Sequence, residues 1–345
     1  MKIALLTIWH VGNYGAEMQT YATVKALNSL GHEVKVIDYR LNEPQRIIDK
    51  LISKVLFITP AYQKFRRFWK SNIPALSHLK NSTDLKDKLG DFDAYMVGSD
   101  QVWNPNITKD KCFDFFLSFV PENKYCVSYA SSFGISSWKF DKELTERVSV
   151  ELSKFQKISC RERDGVNILK DVFDINATFV CDPTLLFEGY PELIGNIQEN
   201  NSFVYYPLSV DKEMESFCKE VATSLHLEFI HNNPQTTWMN GRVWNRLSID
   251  SWIRNFAQAK FVTTQSFHGT AFSIIYKKQF FTIYQGSKVS RISNLLKELG
   301  IEDRLFPSVE AARSAKPWLK PINYEEVNER LMKLRKKSWD FLESI

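Results

Sequence analysis

Short apolar runs recur along the chain, and each is followed by a polar loop and then by a stretch with helical spacing. Residues 3–8 are a continuous apolar run, residues 10–15 contain two glycines, and residues 17–30 place apolar side chains at helical intervals. Gly31 ends this helix, and residues 34–39 form the next apolar run. Strand, loop, helix and strand in this order predict an α/β fold with a parallel sheet.

The same order repeats to the end of the chain and predicts two Rossmann-like lobes. A length of 345 residues fits two domains. We expect an N-terminal lobe over residues 1–190, a C-terminal lobe over 191–320 and a final helix within 321–345. Further strands are expected at residues 94–97, 125–130, 157–162, 179–184, 202–208, 227–230, 260–264 and 280–284.

Composition narrows the compartment and the class of ligand. Five widely spaced cysteines without a C-x-x-C pair fit neither a disulfide framework nor a zinc site, so we expect a reducing cytoplasm and no metal. No signal-peptide core and no apolar stretch of the ~20 residues that a spanning helix needs is present. A net charge of +5 favours anionic ligands without requiring nucleic acid, which we do not expect as a partner.

Residues 44–74 are helical in pattern and interleave aromatic with basic side chains. One interpretation is an amphipathic helix pair that packs on its own lobe and leaves the basic side in water. The other is a surface that contacts anionic lipid or a lipid-linked acceptor, which would place the protein peripherally at the inner face of the membrane.

Two loops of the N-terminal lobe carry groups that suit a sugar. In open parallel sheets, ligands gather at the carboxyl ends of the strands. The loop Gly12-Asn13-Tyr14-Gly15-Ala16 offers helix N-terminal amides but lacks a dinucleotide fingerprint, and it is alternatively a simple glycine turn. The loop Gly98 to Asn104 combines Asp100, Gln101, Trp103 and Asn104, and Asp100 is a candidate base or a helix cap.

Cationic and imidazole groups end strands in both lobes. Arg161 matches carboxylate or phosphate geometry, or it pairs with Glu162 or Asp164. In the C-terminal lobe, Ser266-Phe267-His268-Gly269 lies where a strand meets a helix N-terminus, which favours an anion. His268 is a candidate proton donor, although a lone histidine is often structural. Three downstream cations are candidates for completing an anion site or are solvated surface charges: Lys288, Arg291 and Arg304.

Taken in order, these segments resemble the polysaccharide pyruvyltransferase family over nearly the whole chain. The matching segments are Gly12-Asn13-Tyr14-Gly15-Ala16 with Gln19, Gly98 to Asn104, Arg161-Glu162, Asp182-Pro183-Thr184, Ser266-Phe267-His268-Gly269 and Ser290-Arg291-Ile292. The resemblance implies a GT-B-like fold, in which two lobes with parallel sheets face a cleft and a C-terminal helix packs back on the first lobe. It also implies transfer of pyruvate from phosphoenolpyruvate to two hydroxyls of one sugar, with a cyclic ketal and phosphate as products.

The resemblance also implies roles for the candidate residues. Phosphoenolpyruvate would act as donor substrate without any cofactor, in capsular or exopolysaccharide synthesis. The acceptor would be a sugar, either soluble or lipid-linked. We expect His268 as the acid and Asp100 as the base. The donor would contact Arg161, Ser266, Phe267, His268, Lys288 and Arg291, with Arg291 preferred over Lys288 at the phosphate. The acceptor would contact Asn13, Tyr14, Asp100, Gln101, Trp103 and Asn104.

Two other functions remain open from the residues alone. A GT-B glycosyltransferase that uses a nucleotide sugar would share the architecture and the sugar-like loop. A non-catalytic sugar-binding protein would bind ligand without releasing phosphate. The combination of His268, Arg161 and Arg291 favours an enzyme acting on an anionic donor.

Overall fold

The computed structural model describes residues 1–41, 55–209, 211–238, 242–284 and 289–345, with only the backbone described at Trp238 and Arg242. The chain divides into two compact units. The first consists of Met1–Pro44, Trp69–Leu186 and Lys333–Ile345. The second consists of Gln45–Phe68 and Phe187–Met332.

The first unit is built on a parallel sheet of five strands. The strands are β1 (Lys2–Leu6), β2 (Glu33–Val36), β3 (Ala94–Val97), β4 (Tyr125–Ser128) and β5 (Phe155–Lys157), in the order β2-β1-β3-β4-β5. A separate parallel pair follows, β6 (Ser159–Cys160) and β7 (Thr178–Phe179). The helices up to residue 173 are α1 (Tyr14–Ser29), α2 (Pro60–Asn72), α3 (Ser82–Lys88), α4 (Pro105–Thr108), α5 (Lys142–Leu152) and α6 (Arg163–Phe173), with 3-10 helices at Lys109–Phe116 and Pro183–Leu186. Helix α2 belongs to the second unit up to Phe68 and to the first unit from Trp69.

The second unit repeats this design with another parallel sheet of five strands. Its strands are β8 (Ser202–Tyr206), β9 (Glu228–His231), β12 (Phe261–Thr264), β13 (Gln279–Ile283) and β14 (Leu305–Phe306), in the order β14-β13-β12-β8-β9, and an antiparallel pair is formed by β10 (Thr236–Trp238) and β11 (Arg242–Asn245). The helices from residue 191 onward are α7 (Pro191–Ile194), α8 (Lys212–Ser224), α9 (Ile249–Gln258), α10 (Phe267–Ile275), α11 (Ser290–Leu299), α12 (Val309–Ala315) and α13 (Tyr324–Glu343), with 3-10 helices at Glu302–Arg304 and Pro317–Leu319. Helix α13 belongs to the second unit up to Met332 and to the first unit from Lys333.

The predicted fold class is confirmed, because each unit has a parallel sheet with connecting helices. The central strands are buried on both faces, as the continuous apolar runs require. In β3, for example, all four residues are buried. The antiparallel pair β10 and β11 was not predicted, since its residues show no clear alternation of apolar and polar side chains.

The basic aromatic segment is helical over α2, while residues 42–54 lie outside the described part of the chain. Ala61, Phe65, Phe68 and Trp69 are buried, so the apolar side of α2 packs against the protein. Within the described ranges, no helix has both the length and the apolar composition that crossing a membrane demands.

Candidate active site

In the first unit, the loop after β1 is held by the first turn of α1. Asn13 is the N-cap residue, and its Oδ1 accepts hydrogen bonds from the amides of Gly15 at 2.9 Å and Ala16 at 3.4 Å. Such a side-chain cap satisfies amides that the helix itself leaves unpaired. Asn13 is exposed, whereas Tyr14 is buried. Of these two candidate sugar contacts, only Asn13 therefore presents its surface to solvent in this unit.

The loop after β3 presents Asp100. This residue adopts a left-handed backbone with φ of 75°, and its side chain remains 16% exposed. Its Oδ1 accepts a hydrogen bond from the Gln101 amide at 2.9 Å and lies 3.6 Å from Arg161 Nη2. Asp100 does not cap a helix, because the N-cap of α4 is Asn104. Its carboxylate thus combines a fixed position with access to solvent.

Trp103 and Asn104 have structural roles, which corrects their assignment to sugar binding. Trp103 is fully buried, stacks on Phe116 with ring centroids 5.6 Å apart, and donates its indole N–H to the Phe115 carbonyl at 3.0 Å. Asn104 is buried and accepts from the Asn106 amide at 3.1 Å. An indole enclosed in the core has no ring face left for a sugar. Gln101, by contrast, is half-buried beside Gly134.

Arg161 is the centre of a buried ion-pair network in the first unit. Its Nε contacts Glu162 Oε1 at 2.9 Å and its Nη1 contacts Asp182 Oδ2 at 2.8 Å, in addition to the more distant Asp100. Burial alone would lower the pKa of the guanidinium, but the three carboxylates outweigh burial and raise that pKa. Arg161 is therefore a permanent cation that holds three carboxylates at the ends of β3, β6 and β7.

Glu17 is a site residue that the sequence analysis missed. It is completely buried under the β1–α1 loop and accepts hydrogen bonds from the amides of His10 at 3.3 Å and Gly12 at 3.2 Å. The indole of Trp69 donates a third at 2.7 Å. Burial raises the pKa of this carboxyl from 4.5 to about 7. Glu17 thus fixes the loop that carries Asn13.

His10 adjoins the same carboxyl. Its ring lies 3.7 Å from the Trp69 ring centroid, and its backbone is left-handed with φ of 61°. Burial and the nearby Arg40 lower the pKa of His10 to about 4. A glutamate in the first turn after a glycine loop is a detectable signal in the sequence, but the distant Trp69 is not.

In the second unit, the predicted anion site lies at the start of α10. Ser266 is the N-cap residue, and its side chain makes no capping hydrogen bond, while its amide donates to Thr264 Oγ1 at 3.0 Å. Phe267 and His268 occupy the first turn and, like Ser266, are buried. The N-terminal end of a helix carries a partial positive charge that attracts anions. The structure therefore brings three candidate donor contacts together at one helix N-terminus.

The three cations that were candidates for the donor site lie in different environments. Arg291 is half-buried in the first turn of α11, and Lys288 lies outside the described residues. Arg304 is buried and donates through Nη1 to the carbonyls of Pro317 at 3.0 Å and Lys320 at 2.7 Å, so it serves a loop rather than a ligand. Arg291 is thus the one of these three cations that is both described and placed in the first turn of an α-helix.

A cavity of about 360 Å³ opens at the carboxyl ends of the strands of the second unit. Its walls include Gln265, which follows β12, and Tyr284, which follows β13. One wall of the cavity carries the carboxyl groups of Glu213 and Glu310. The hydrogen bond between them raises the pKa of Glu213. Among the residues that the structure describes, no cluster of three metal-binding side chains occurs.

The sequence model of the polysaccharide pyruvyl transferase family matches residues 13–287. No curated protein matches the chain significantly. Solved structures share its fold at low identity. One is S. aureus MnaA with UDP, at 12% identity and a TM-score of 0.51, covering 96% of this chain and 90% of that protein. Another is Arabidopsis thaliana UGT89C1 complexed with UDP-L-rhamnose, at 12% identity and a TM-score of 0.51, covering 99% and 97%. These similarities support the GT-B-like fold.

Proposed function

Because the chain belongs to the polysaccharide pyruvyl transferase family, we propose that it transfers the pyruvyl group of phosphoenolpyruvate to two hydroxyls of one sugar. The observation that carries this proposal is the family match, which includes the loops around Asp100 and His268. The product is a cyclic ketal on a capsular polysaccharide or exopolysaccharide, or on its lipid-linked precursor. The family itself implies a transferase with a sugar acceptor.

The reaction balances without an additional reactant. Two sugar oxygens form bonds to C2 of phosphoenolpyruvate, and the bond between C2 and the phosphate oxygen breaks. Of the two hydroxyl protons, one ends on the methylene carbon, which becomes a methyl group, and the other leaves with phosphate. The protein must therefore supply a proton to carbon, accept a proton from a hydroxyl and stabilise the departing phosphate.

We assign donor binding and acid catalysis to the second unit. His268 would protonate the methylene carbon, while the N-terminal end of α10 with Ser266 and Phe267 would attract the anionic donor. Arg291 would contact the phosphate, with Lys288 as a further cation. The uncapped position of Ser266 supports this assignment, because an anion rather than a side chain would complete the helix N-terminus.

We assign acceptor activation to Asp100 in the first unit, with Asn13 and Gln101 as sugar contacts. The left-handed backbone and the Arg161 contact hold this carboxylate in one place, while it stays partly exposed. Arg161 was expected to bind the donor. Because Arg161 already contacts three carboxylates, we assign it instead the role of positioning the Asp100 side chain.

The test is incubation with phosphoenolpyruvate and a panel of aryl and lipid-linked glycosides, with free phosphate and the gain of pyruvyl mass as readouts. His268→Gln should lower kcat by roughly 10²–10⁴-fold, the usual contribution of a general acid. His226→Gln, which changes an exposed histidine of the same unit, is the matched control and should keep kcat. Normal turnover by the His268 variant with saturating phosphoenolpyruvate would remove the acid role.

A nucleotide-sugar glycosyltransferase is the competing function, because the fold resembles structures that contain UDP and UDP-L-rhamnose. It predicts that UDP-sugars bind and turn over while phosphoenolpyruvate does not. A non-catalytic sugar-binding protein predicts acceptor binding without turnover of either donor. Parallel titration of phosphoenolpyruvate and UDP by calorimetry, followed by turnover assays, separates the three functions.

A further inference from the structure

The exposed side of α2 carries a row of cations. Arg66 and Arg67 are exposed, and Lys70 follows them three to four residues later on the same side of the helix. The buried residues Phe65 and Phe68 point the opposite way into the protein. The sequence of α2 contains no aspartate or glutamate. Arg66, Arg67 and Lys70 form no ion pair within the described part of the chain.

An apolar turn lies at the start of this row. The residues before α2 include Phe57, which is 41% exposed, and Ile58, which at 70% is the most exposed large apolar side chain among the described residues. Val55 is also exposed. Three exposed apolar side chains within four residues are unusual on a protein surface, where single ones are normal.

Gln63 connects the apolar turn, residues 55–58, with the cationic row formed by Arg66, Arg67 and Lys70. Its Nε2 donates a hydrogen bond to the Phe57 carbonyl, and the Phe57 ring packs edge-on against Tyr62 at 4.6 Å. In a helix, residues three and four apart lie on one side, so Gln63 shares its side with Arg66 and Arg67. The turn that carries Ile58 therefore adjoins the row of arginines.

Two neighbouring basic residues, Lys64 and Arg246, differ from this row because they make contacts within the second unit. Lys64 Nζ donates to Asn245 Oδ1 at 2.8 Å and to the Arg246 carbonyl at 2.7 Å. The Arg246 guanidinium lies 4.5 Å from the Phe65 ring centroid. Lys64 and Arg246 thus stabilise the packing of α2, whereas Arg66 and Arg67 have no such partner in the described chain.

We propose that the turn before α2 and the row Arg66, Arg67 and Lys70 form a docking surface for an anionic lipid bilayer. Arginine and lysine gain attraction near anionic headgroups, and an adjacent apolar side chain gains by entering the interface. The exposed Ile58 favours a bilayer over a nucleic acid or another polyanion, because a polyanion offers an apolar side chain no comparable environment. This surface does not depend on the proposed reaction.

The experiment is co-sedimentation of the full chain with phosphatidylcholine vesicles that contain about one-third phosphatidylglycerol, beside pure phosphatidylcholine vesicles. The wild type should bind the anionic vesicles, and salt should weaken binding. Arg66→Glu/Arg67→Glu should lower the partition coefficient at least about 20-fold, since each cation near such a surface contributes about fivefold. Ile58→Ser should lower it by a further, salt-independent factor.

Matched controls separate this surface from net charge and from misfolding. Lys139→Glu/Lys142→Glu changes the net charge equally at two exposed lysines, and Val150→Ser removes an apolar side chain that is 62% exposed. Both should bind like the wild type. Thermal unfolding midpoints, which do not require activity, report whether each variant is folded. Equal binding to neutral vesicles, equal losses in the controls, or stronger binding to heparin than to anionic vesicles would each overturn the proposal.

Discussion

Gly269 determines how closely α10 approaches the sheet of the second unit. A Cβ atom built at this position lies 2.2 Å from Thr264 Oγ1 and 2.9 Å from Tyr206 Cδ1, at the ends of β12 and β8. A methyl group there requires a shift of the helix that carries His268 or of the side chains of Thr264 and Tyr206. We predict that Gly269→Ala lowers the free energy of unfolding by about 1–3 kcal/mol, the usual cost of overpacking, as measured by urea denaturation.

Gly189→Ala is the matched control for this substitution. The Cβ atom built at Gly189 has its nearest contact with Tyr276 Cε1 at 3.4 Å, which is an ordinary van der Waals distance. Its effect should stay within about 0.5 kcal/mol. Equal losses in the two variants would show that close approach at Gly269 is not the cause.

Glu17 makes the stability of the fold depend on pH, and its contribution decreases as the pH rises. Burial raises its pKa from 4.5 to about 7, so the folded chain holds a proton that the unfolded chain releases in this window. The contribution of this group is present below pH 4.5 and is lost as the pH rises through 7. From about pH 5 to about pH 8, Glu17→Gln should gain roughly 2–3 kcal/mol relative to the wild type. Urea denaturation across this range measures the difference, and a constant difference would contradict the raised pKa.

His10 also makes the stability of the fold depend on pH, but its contribution decreases as the pH falls. Its pKa is lowered from 6.5 to about 4, so the unfolded chain takes up a proton that the folded chain does not. The contribution of His10 is therefore present above pH 6.5 and is lost as the pH falls through 4. His10→Asn keeps a residue that tolerates the left-handed backbone and should flatten the acid-side loss in the same denaturation series. An unchanged acid slope would exclude His10 as its source.

Between elements, the Arg161 network joins the segments that follow β3, β6 and β7. Ser99 and Asp182 share it, since Asp182 Oδ2 accepts from Ser99 Oγ at 3.2 Å and from Arg161 Nη1 at 2.8 Å. Arg161→Met would leave buried carboxylates without a cation, and we predict a loss of about 3–5 kcal/mol in the free energy of unfolding. Arg163→Met, which removes an exposed arginine stacked on Phe179, should cost no more than about 1 kcal/mol by urea denaturation. Similar losses would mean that the network contributes little.

For the whole molecule, the C-terminal residues belong to the first unit, although the chain that precedes them belongs to the second. Residues 333–345 group with the first unit, where Arg335 Nε donates to the Leu185 carbonyl at 2.6 Å and Ser338 Oγ accepts from the Cys181 amide at 2.9 Å. Ending the chain at residue 332 should reduce amide hydrogen-exchange protection in the strands of the first unit more than in β8 and β12 of the second. A chain with Ser338→Ala should lose about 1–3 kcal/mol in the free energy of unfolding, because the buried Cys181 amide is left without its acceptor. Unchanged protection after truncation would show that residues 333–345 do not stabilise the first unit.

Much of the fold follows from local pattern. The bounds Ala94–Val97 of β3 agree with the sequence prediction, because the apolar pattern of a strand reflects the backbone geometry of neighbouring residues. The parallel arrangement follows from the alternation of strands and helices. The strand-to-helix junction predicted at Ser266-Phe267-His268-Gly269 agrees with the start of α10 at Phe267.

What the sequence determined by itself was therefore the order of elements, the fold class and the family. Only the tertiary structure decided that Trp103 belongs to the core, that Glu17 meets a Trp69 52 residues away, and that Arg161 is enclosed by Glu162, Asp182 and Asp100. The physical reason is that burial and ion pairing depend on segments distant along the chain. Periodicity and capping depend on neighbours a few residues away, which any stretch of the sequence already contains.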